Sequence, residues 1–185
     1  MIEKYTWEKA QDEASTLSQK VETGEALDYD SAEQQLDADS LTEEQKGYKE
    51  ELLSQLKAGK ADLAARLKSK LLPEVMQSQE VRQAIIEQFV YNLSNGYDHI
   101  NDEMLQDFPL SASELQQAVL EALISALNYI KDVYTVQDIL EKYSFPPEVI
   151  QSAEVQQAAK VAYTKLLAGH DKIQADKIKE LFFLQ

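Results

Sequence analysis

One phrase of the sequence occurs twice and constrains the fold more than any other feature. Residues 72–84 read LPEVMQSQEVRQA, and residues 146–158, 74 positions later, read PPEVIQSAEVQQA. The proline near the start of each copy biases the residue before it towards extended backbone and suits the first turn of a helix. Each copy therefore predicts a point where the chain turns and a new helix begins, as in a protein built from repeated units.

Three segments repeat the helix that follows this phrase. They align without gaps as EVRQAIIEQFVYNL, ELQQAVLEALISAL and EVQQAAKVAYTKLL, starting at Glu80, Glu114 and Glu154. Their shared apolar positions recur at i, i+3, i+8 and i+12, which lie on one face of an α-helix. We call this element helix A. Its alanines at Ala118 and Ala158 are expected to be buried where A helices pack closely.

A second apolar-periodic segment, helix B, follows each helix A after a short linker. These segments end near Phe108, Phe145 and Phe182, which are spaced by 37 residues. The same step backwards from Phe108 reaches Leu71, which indicates a diverged first copy. The pattern predicts four helical hairpins with a period of about 37 residues, at 42–72, 73–109, 110–146 and 147–185.

Composition and burial favour an all-α fold. The 185 residues include five Gly and four Pro and show no apolar–polar alternation typical of strands. A single hairpin cannot bury its apolar faces, whereas stacked hairpins can. We therefore predict a short right-handed α-solenoid of about four hairpins, preceded by an acidic helical segment at residues 1–41. Lys160 and Thr164 replace apolar residues of earlier hairpins, which predicts that this side of the last hairpin faces solvent.

Residues at the helix ends give local predictions. Gly59 and Gly169 each follow a helix A and suit the left-handed position after a helix end. Ser152 is predicted to cap the last helix A, and Thr135 is predicted to cap the helix B of the third hairpin. The apolar tail at residues 182–184 is expected to fold back on helix A of its own hairpin.

The last hairpin, AAKVAYTKLLAGHDKIQADKIKELF, has a longer first helix, a turn with glycine and a second helix. In this layout it resembles helical-hairpin repeats of the tetratricopeptide and pentatricopeptide kind. The resemblance covers residues 42–185 at the level of architecture. It implies a curved binding surface without chemistry of its own.

Charge and cysteine content limit the classes of partner. The net charge is −15, and residues 1–51 contain 15 of the acidic residues but only five of the basic ones. Such a chain repels phosphate backbones and anionic membranes, so we expect neither direct nucleic-acid binding nor membrane docking. The sequence has no cysteine, no apolar leader and no apolar run long enough to span a bilayer. We expect a cytoplasmic protein.

No residue pattern points to catalysis or to a bound metal or cofactor. His99 and His170 occupy equivalent turns beside acidic residues and are expected to be solvent-exposed. The acidic stretch at residues 28–44 lacks the glycine and the final glutamate that a calcium-binding EF-hand loop requires. We therefore expect a protein that is not an enzyme and that binds no metal or cofactor.

The tyrosines near the ends of the A helices have two interpretations, packing between repeats or a protein-binding surface. Tyr91, Tyr97, Tyr129 and Tyr134 lie near the ends of A helices or in A–B turns, and Phe183 lies in the tail. These residues predict an interaction module that binds a protein or peptide of basic character, as a monomer or a weak homodimer. The alternative is an acidic inhibitor that mimics nucleic acid and blocks a DNA- or RNA-binding protein.

Overall fold

The computed structural model describes residues 41–184, apart from the side chains of Ala61 and Asp62. Helix accounts for 77% of these described residues, which include no strand, so the all-α prediction is confirmed. The helices are α1 (Glu43–Lys57), α2 (Ala61–Lys68), α3 (Pro73–Met76), α4 (Gln79–Ser94), α5 (Asp98–Asp107), α6 (Ala112–Asn128), α7 (Val133–Tyr143), α8 (Pro147–Ile150), α9 (Ala153–Ala168) and α10 (Lys172–Leu181). The predicted helical segment at 1–41 lies outside the described residues, except for Leu41.

The described chain divides into two compact units. The N-terminal unit comprises residues 41–89 and 99–111, and the C-terminal unit comprises residues 90–98 and 112–184. The N-terminal unit contains α1 to α3, most of α4 and nearly all of α5. The C-terminal unit contains the end of α4 and the helices α6 to α10.

The second helix of each predicted hairpin buries side chains at the same spacing of i, i+3 and i+7. The four sets are Ala64, Leu67 and Leu71; Asn101, Met104 and Phe108; Val136, Ile139 and Tyr143; and Ala175, Ile178 and Phe182. Within a helix this spacing keeps side chains on one face. Leu71, Phe108 and Phe182 lie one to three residues beyond the ends of their helices. Leu71 is buried, as the spacing of the phenylalanines predicted.

The third hairpin departs from the constant spacing of 37 residues. Tyr143, not Phe145, fills the last buried position of α7, and Phe145 is only half-buried. Helix α7 ends at Tyr143, and Ser144 follows in the left-handed conformation with φ of 45°. The left-handed Ser144 redirects the chain before Phe145, so Phe145 does not continue the buried face of α7. The equivalent positions from Leu71 to Phe182 are spaced by 37, 35 and 39 residues.

In the C-terminal unit, α6 contacts α7 and α9, and α10 contacts α7 and α9. The Gln174 side-chain oxygen also accepts a hydrogen bond of 2.8 Å from the backbone N–H of Val133 at the start of α7.

The buried faces of α6 and α9 are rich in alanine, at Ala118, Ala122, Ala126, Ala158, Ala159 and Ala162. The predicted burial of Ala118 and Ala158 is confirmed. Lys160 and Thr164 are exposed, also as predicted.

Two of the predicted helix caps can be compared with the structure. The Ser152 hydroxyl accepts from the backbone N–H of Val155 at 3.4 Å, as predicted for the N-cap of α9. The assignment of Thr135 as a cap is wrong. Helix α7 begins at Val133, and the Asp132 carboxylate caps it by accepting from the backbone N–H of Thr135 at 3.0 Å.

The prediction of a left-handed conformation is also wrong for one of the two glycines. Gly59 has φ of 71°, as predicted, but Gly169 has φ of −78° and ends α9 in an ordinary conformation. His170 takes the left-handed position instead, with φ of 63°. The backbone N–H of Asp171 donates to the Leu166 carbonyl at 2.9 Å, which closes the turn around His170.

His170→Gly should raise the free energy of unfolding by about 1 kcal/mol, because glycine adopts the left-handed conformation without the strain of a Cβ atom. The His170 side chain is exposed, so its removal leaves no cavity. Thermal unfolding followed by circular dichroism measures the effect. The matched control is Gly59→Ala, which should destabilise by about 1–2 kcal/mol. A lower melting temperature for His170→Gly would contradict the assigned backbone.

The apolar tail folds back on α9, as predicted. Phe182 and Leu184 are buried, and the Gln156 side-chain amide donates to the Phe182 carbonyl at 3.0 Å. The same amide donates to the Ile150 carbonyl at 2.9 Å, so Gln156 joins the tail to the end of α8. Phe183, between the two buried residues, points into solvent.

Candidate functional site

Exposed large apolar side chains are concentrated in the C-terminal unit. Among the described residues, seven of the eight side chains of this kind belong to it. They are Tyr91, Tyr97, Tyr129, Tyr134, Leu167, Ile173 and Phe183. All five residues predicted from the sequence to bind a partner are thus exposed on one unit.

Five of these side chains lie in or beside the turns that join an A helix to a B helix. Tyr97 lies in the α4–α5 turn, Tyr129 and Tyr134 flank the α6–α7 turn, and Leu167 and Ile173 flank the α9–α10 turn. We call these five residues the turn edge. Tyr91 lies in the last turns of α4, close in sequence to the turn edge but outside it.

Lysine side chains tie neighbouring turns together. The Lys131 ammonium donates to the Asn95 side-chain oxygen at 2.9 Å, which joins the α6–α7 turn to the α4–α5 turn. The Lys165 ammonium donates to the Asn128 carbonyl and lies 5.8 Å from the centre of the Tyr129 ring. These contacts place the three turns next to one another.

Phe183 lies apart from the turn edge. The backbone carbonyl of its neighbour Phe182 accepts a hydrogen bond from Gln156 near the start of α9. Tyr129 instead lies against Lys165 near the end of that helix. Nine residues of helix separate Gln156 from Lys165, a distance of about 14 Å. Phe183 is 74% exposed and has φ of 53°, a left-handed conformation that is uncommon for a bulky residue. The structure therefore places Tyr97, Tyr129 and Tyr134 at adjoining turns, whereas Phe183 lies elsewhere.

Leu167 and Ile173 were not predicted as surface residues. The alignment of the A helices placed Leu167 on the buried face, but it is 41% exposed, and the adjacent Leu166 is buried instead. Ile173 is 85% exposed although it lies in the apolar-periodic segment that predicts the last helix B. It precedes the buried Ala175 by two residues, which is about 200° around the helix. The i, i+3, i+7 spacing of the buried side chains of α10 would have identified Ile173 as exposed.

A groove of about 370 Å³ adjoins the turn edge. Its lining includes Gly96 and Asp98, which flank Tyr97 in the sequence, and Thr135, which follows Tyr134. A Cβ atom added at Gly96 would lie only 3.2 Å from the Thr135 hydroxyl oxygen, and Gly96 has φ of 79°. Glycine is therefore the residue that lets the α4–α5 turn come this close to α7.

Acidic side chains dominate the charge of the groove. The Lys142 ammonium lies 2.8 Å from each oxygen of the Asp98 carboxylate. Asp138 and Glu141 also line the groove, are exposed, and form no ion pair with a described residue. Glu141 accepts one hydrogen bond of 2.6 Å, from the Gln137 amide. Three carboxylates against one ammonium leave the groove with a net charge of −2.

Other titratable groups show no reactive arrangement. The part of the chain that the structure describes contains no group of three His, Cys, Asp or Glu residues that could hold a metal ion. The Tyr48 hydroxyl donates to Glu44 at 3.0 Å, and this hydrogen bond and the carboxylate charge raise the pKa of Tyr48. Tyr48 is therefore even less able to lose its proton near neutral pH. His99 and His170 are exposed, as expected.

None of the described helices is both long enough and apolar enough to cross a lipid bilayer. No protein-family model matches the chain, and no match exists among the curated proteins or the solved structures. The function is therefore inferred from the surface of this chain alone.

Proposed function

We propose that the protein is a non-enzymatic interaction module, a short right-handed α-solenoid of about four hairpins that binds a segment of another protein. The contacts of α9 with α6 and of α10 with α7 support stacking of one hairpin on the next. The shared i, i+3, i+7 burial in all four B helices supports the same role for the earlier hairpins.

The observation that carries the proposal is the turn edge. Single exposed apolar residues are common on protein surfaces, but a group of five at adjacent turns is typical of a binding surface. Three of the five are tyrosines, which are enriched in protein interfaces because they supply a large contact area with few rotatable bonds. The lysine contacts that fix the turns reduce the entropy lost on binding.

The charge distribution favours an interaction module over a mimic of nucleic acid. A mimic needs carboxylates in a double row along one face. Residues 90–98 and 112–185 contain 11 acidic and seven basic residues, so acids are only in modest excess there. Lys131, Lys142 and Lys165 lie among the acidic and apolar residues at the turns and would interrupt such a row. The excess of acid still favours a partner of basic character.

The folded tail favours a monomer. Phe182 and Leu184 are already buried, so they are not available for a contact with a second copy of the chain. Phe183 is the exposed aromatic residue of this tail and lies away from the turn edge.

Selection of peptides from a random display library on the immobilised full chain tests the proposal. An edge variant carries Tyr97→Ser, Tyr134→Ser and Ile173→Ser, and a control variant carries Tyr91→Ser and Phe183→Ser. Because all five side chains are exposed, each substitution should change stability by no more than about 0.5 kcal/mol. Thermal unfolding verifies that both variants are folded.

We expect selected peptides to bind the wild type and the control variant with similar affinity, and the edge variant at least about tenfold more weakly, a loss of about 1.4 kcal/mol. Two results would overturn the proposal. One is that no selected peptide binds this chain more tightly than it binds an unrelated helical protein. The other is that the edge variant binds the selected peptides as well as the wild type does.

A further inference from the structure

Building on the proposed interaction function, we propose that the turn edge binds an extended segment of the partner that carries an arginine or lysine. The basic side chain enters the groove beside the turn edge, and apolar residues next to it contact Tyr97 and Tyr134. The bound segment would thus combine one cation with apolar neighbours.

The position of the two tyrosines supports this arrangement. In the sequence, Tyr97 lies between Gly96 and Asp98, which both line the groove. Tyr134 directly precedes Thr135, which also lines it. Both side chains are exposed, so their rings are available to a bound segment. A cation near the face of a tyrosine ring is attracted by the ring electrons, and the guanidinium group of arginine can also stack on the ring.

The carboxylates of α7 define the charge of the occupant. Asp138 and Glu141 are three residues apart and are neighbours on one face of the helix. Neither forms an ion pair with a described residue, whereas Asp98 is already paired with Lys142. A cation from the partner would relieve the repulsion between the two carboxylates, and an acidic side chain would increase it.

The groove is large enough to take a basic side chain. Its volume of about 370 Å³ is near the lower end of the range for sites that bind small ligands. The hydrogen bond from Lys131 to Asn95 and the close approach of Gly96 to Thr135 hold the walls in place. A segment that inserts one basic side chain therefore finds a preformed site, and the loss of entropy on binding is small.

An NMR titration of the ¹⁵N-labelled full chain tests this assignment with a small probe, Nα-acetyl-arginine amide. We expect the largest amide shifts at Gly96, Asp98, Thr135 and Asp138. The uncharged probe Nα-acetyl-norleucine amide should give shifts at least about threefold smaller. The variant Asp138→Asn/Glu141→Gln should lose most of the response to the arginine probe.

The matched control is Glu148→Gln/Glu154→Gln, which removes the same charge from exposed positions of the same unit. It should retain the wild-type response. Equal responses of the two double variants would show general attraction to an acidic surface and would overturn the assignment. Shifts scattered over the unit rather than grouped at the groove would also overturn it.

The library peptides separate this inference from the interaction function. We expect the selected peptides to contain a basic residue whose replacement by norleucine weakens binding about tenfold. Peptides that depend on the turn edge but contain no essential basic residue would overturn the groove assignment and leave the interaction function standing. A library that yields no binding peptide would overturn the interaction function itself.

Discussion

Phe182→Ala lowers the free energy of unfolding by about 3–5 kcal/mol, the range for removing a fully buried aromatic side chain from a packed core. Phe182 has no exposed surface and completes the buried face that Ala175 and Ile178 begin on α10. Truncation leaves a cavity under the tail, at the point where Gln156 bonds to the backbone of Phe182. Chemical denaturation followed by circular dichroism measures the loss.

The adjacent residue supplies the control for this experiment. Phe183→Ala removes the same atoms from a side chain that is mostly in solvent, so the free energy of unfolding should change by no more than about 0.5 kcal/mol. The two variants differ by one position in the sequence but by several kcal/mol in expected effect. Equal losses in both variants would mean that the tail does not fold back on α9.

Ala118→Leu is expected to destabilise the protein by about 1–3 kcal/mol through overpacking. Ala118 is fully buried on α6, and the alanine-rich faces of α6 and α9 leave little room for a larger side chain. Three additional carbons must either move α9 or force a strained rotamer. The melting temperature of the variant should fall accordingly.

Ala153→Leu makes the same chemical change at an exposed position at the start of α9. Its melting temperature should remain close to that of the wild type, because the added side chain meets solvent. A neutral Ala118→Leu variant would show that the close packing on α6 is wrongly assigned. A large loss from Ala153→Leu would show that the exposed surface of α9 is wrongly assigned.

The helices could be predicted from the sequence because their apolar residues follow the helical period and prolines mark connections between helices. The aligned segments from Glu80, Glu114 and Glu154 all lie within helices, and Ala118 and Ala158 are buried. These features depend on local sequence and on the burial of one helix face. Both can be inferred from the sequence without knowledge of which helices pack together.

The register of α7 could not be predicted from residue identity alone. Phe145 continued a regular spacing of phenylalanines, but the helix ends two residues earlier and Tyr143 fills the buried position. Similarly, glycine is the usual left-handed residue after a helix, yet the hydrogen bond from Asp171 to Leu166 puts His170 in that conformation. In both places the backbone hydrogen bonds determined where the helix stopped.

The candidate site was predictable only in part. Tyr97 and Tyr129 lie in the connections between helices, where side chains are commonly exposed, and Tyr91 lies off the apolar face shared by the A helices. That the turns lie side by side depends on contacts between residues distant in sequence, such as Lys131 with Asn95, 36 residues apart. Leu167 and Ile173 belong to the turn edge because Leu166 and Ala175 occupy the buried positions of their helices.

The unequal spacing of the buried B-helix residues, 37, 35 and 39, determines how a chain of this kind can change in length during evolution. An insertion or deletion between helices, as in residues 109–111 or 144–146, alters a connection and leaves each buried face intact. The same change inside a helix rotates every later side chain by about 100° and exposes the core. The proline-marked steps are therefore the positions at which the chain should best tolerate a change in length.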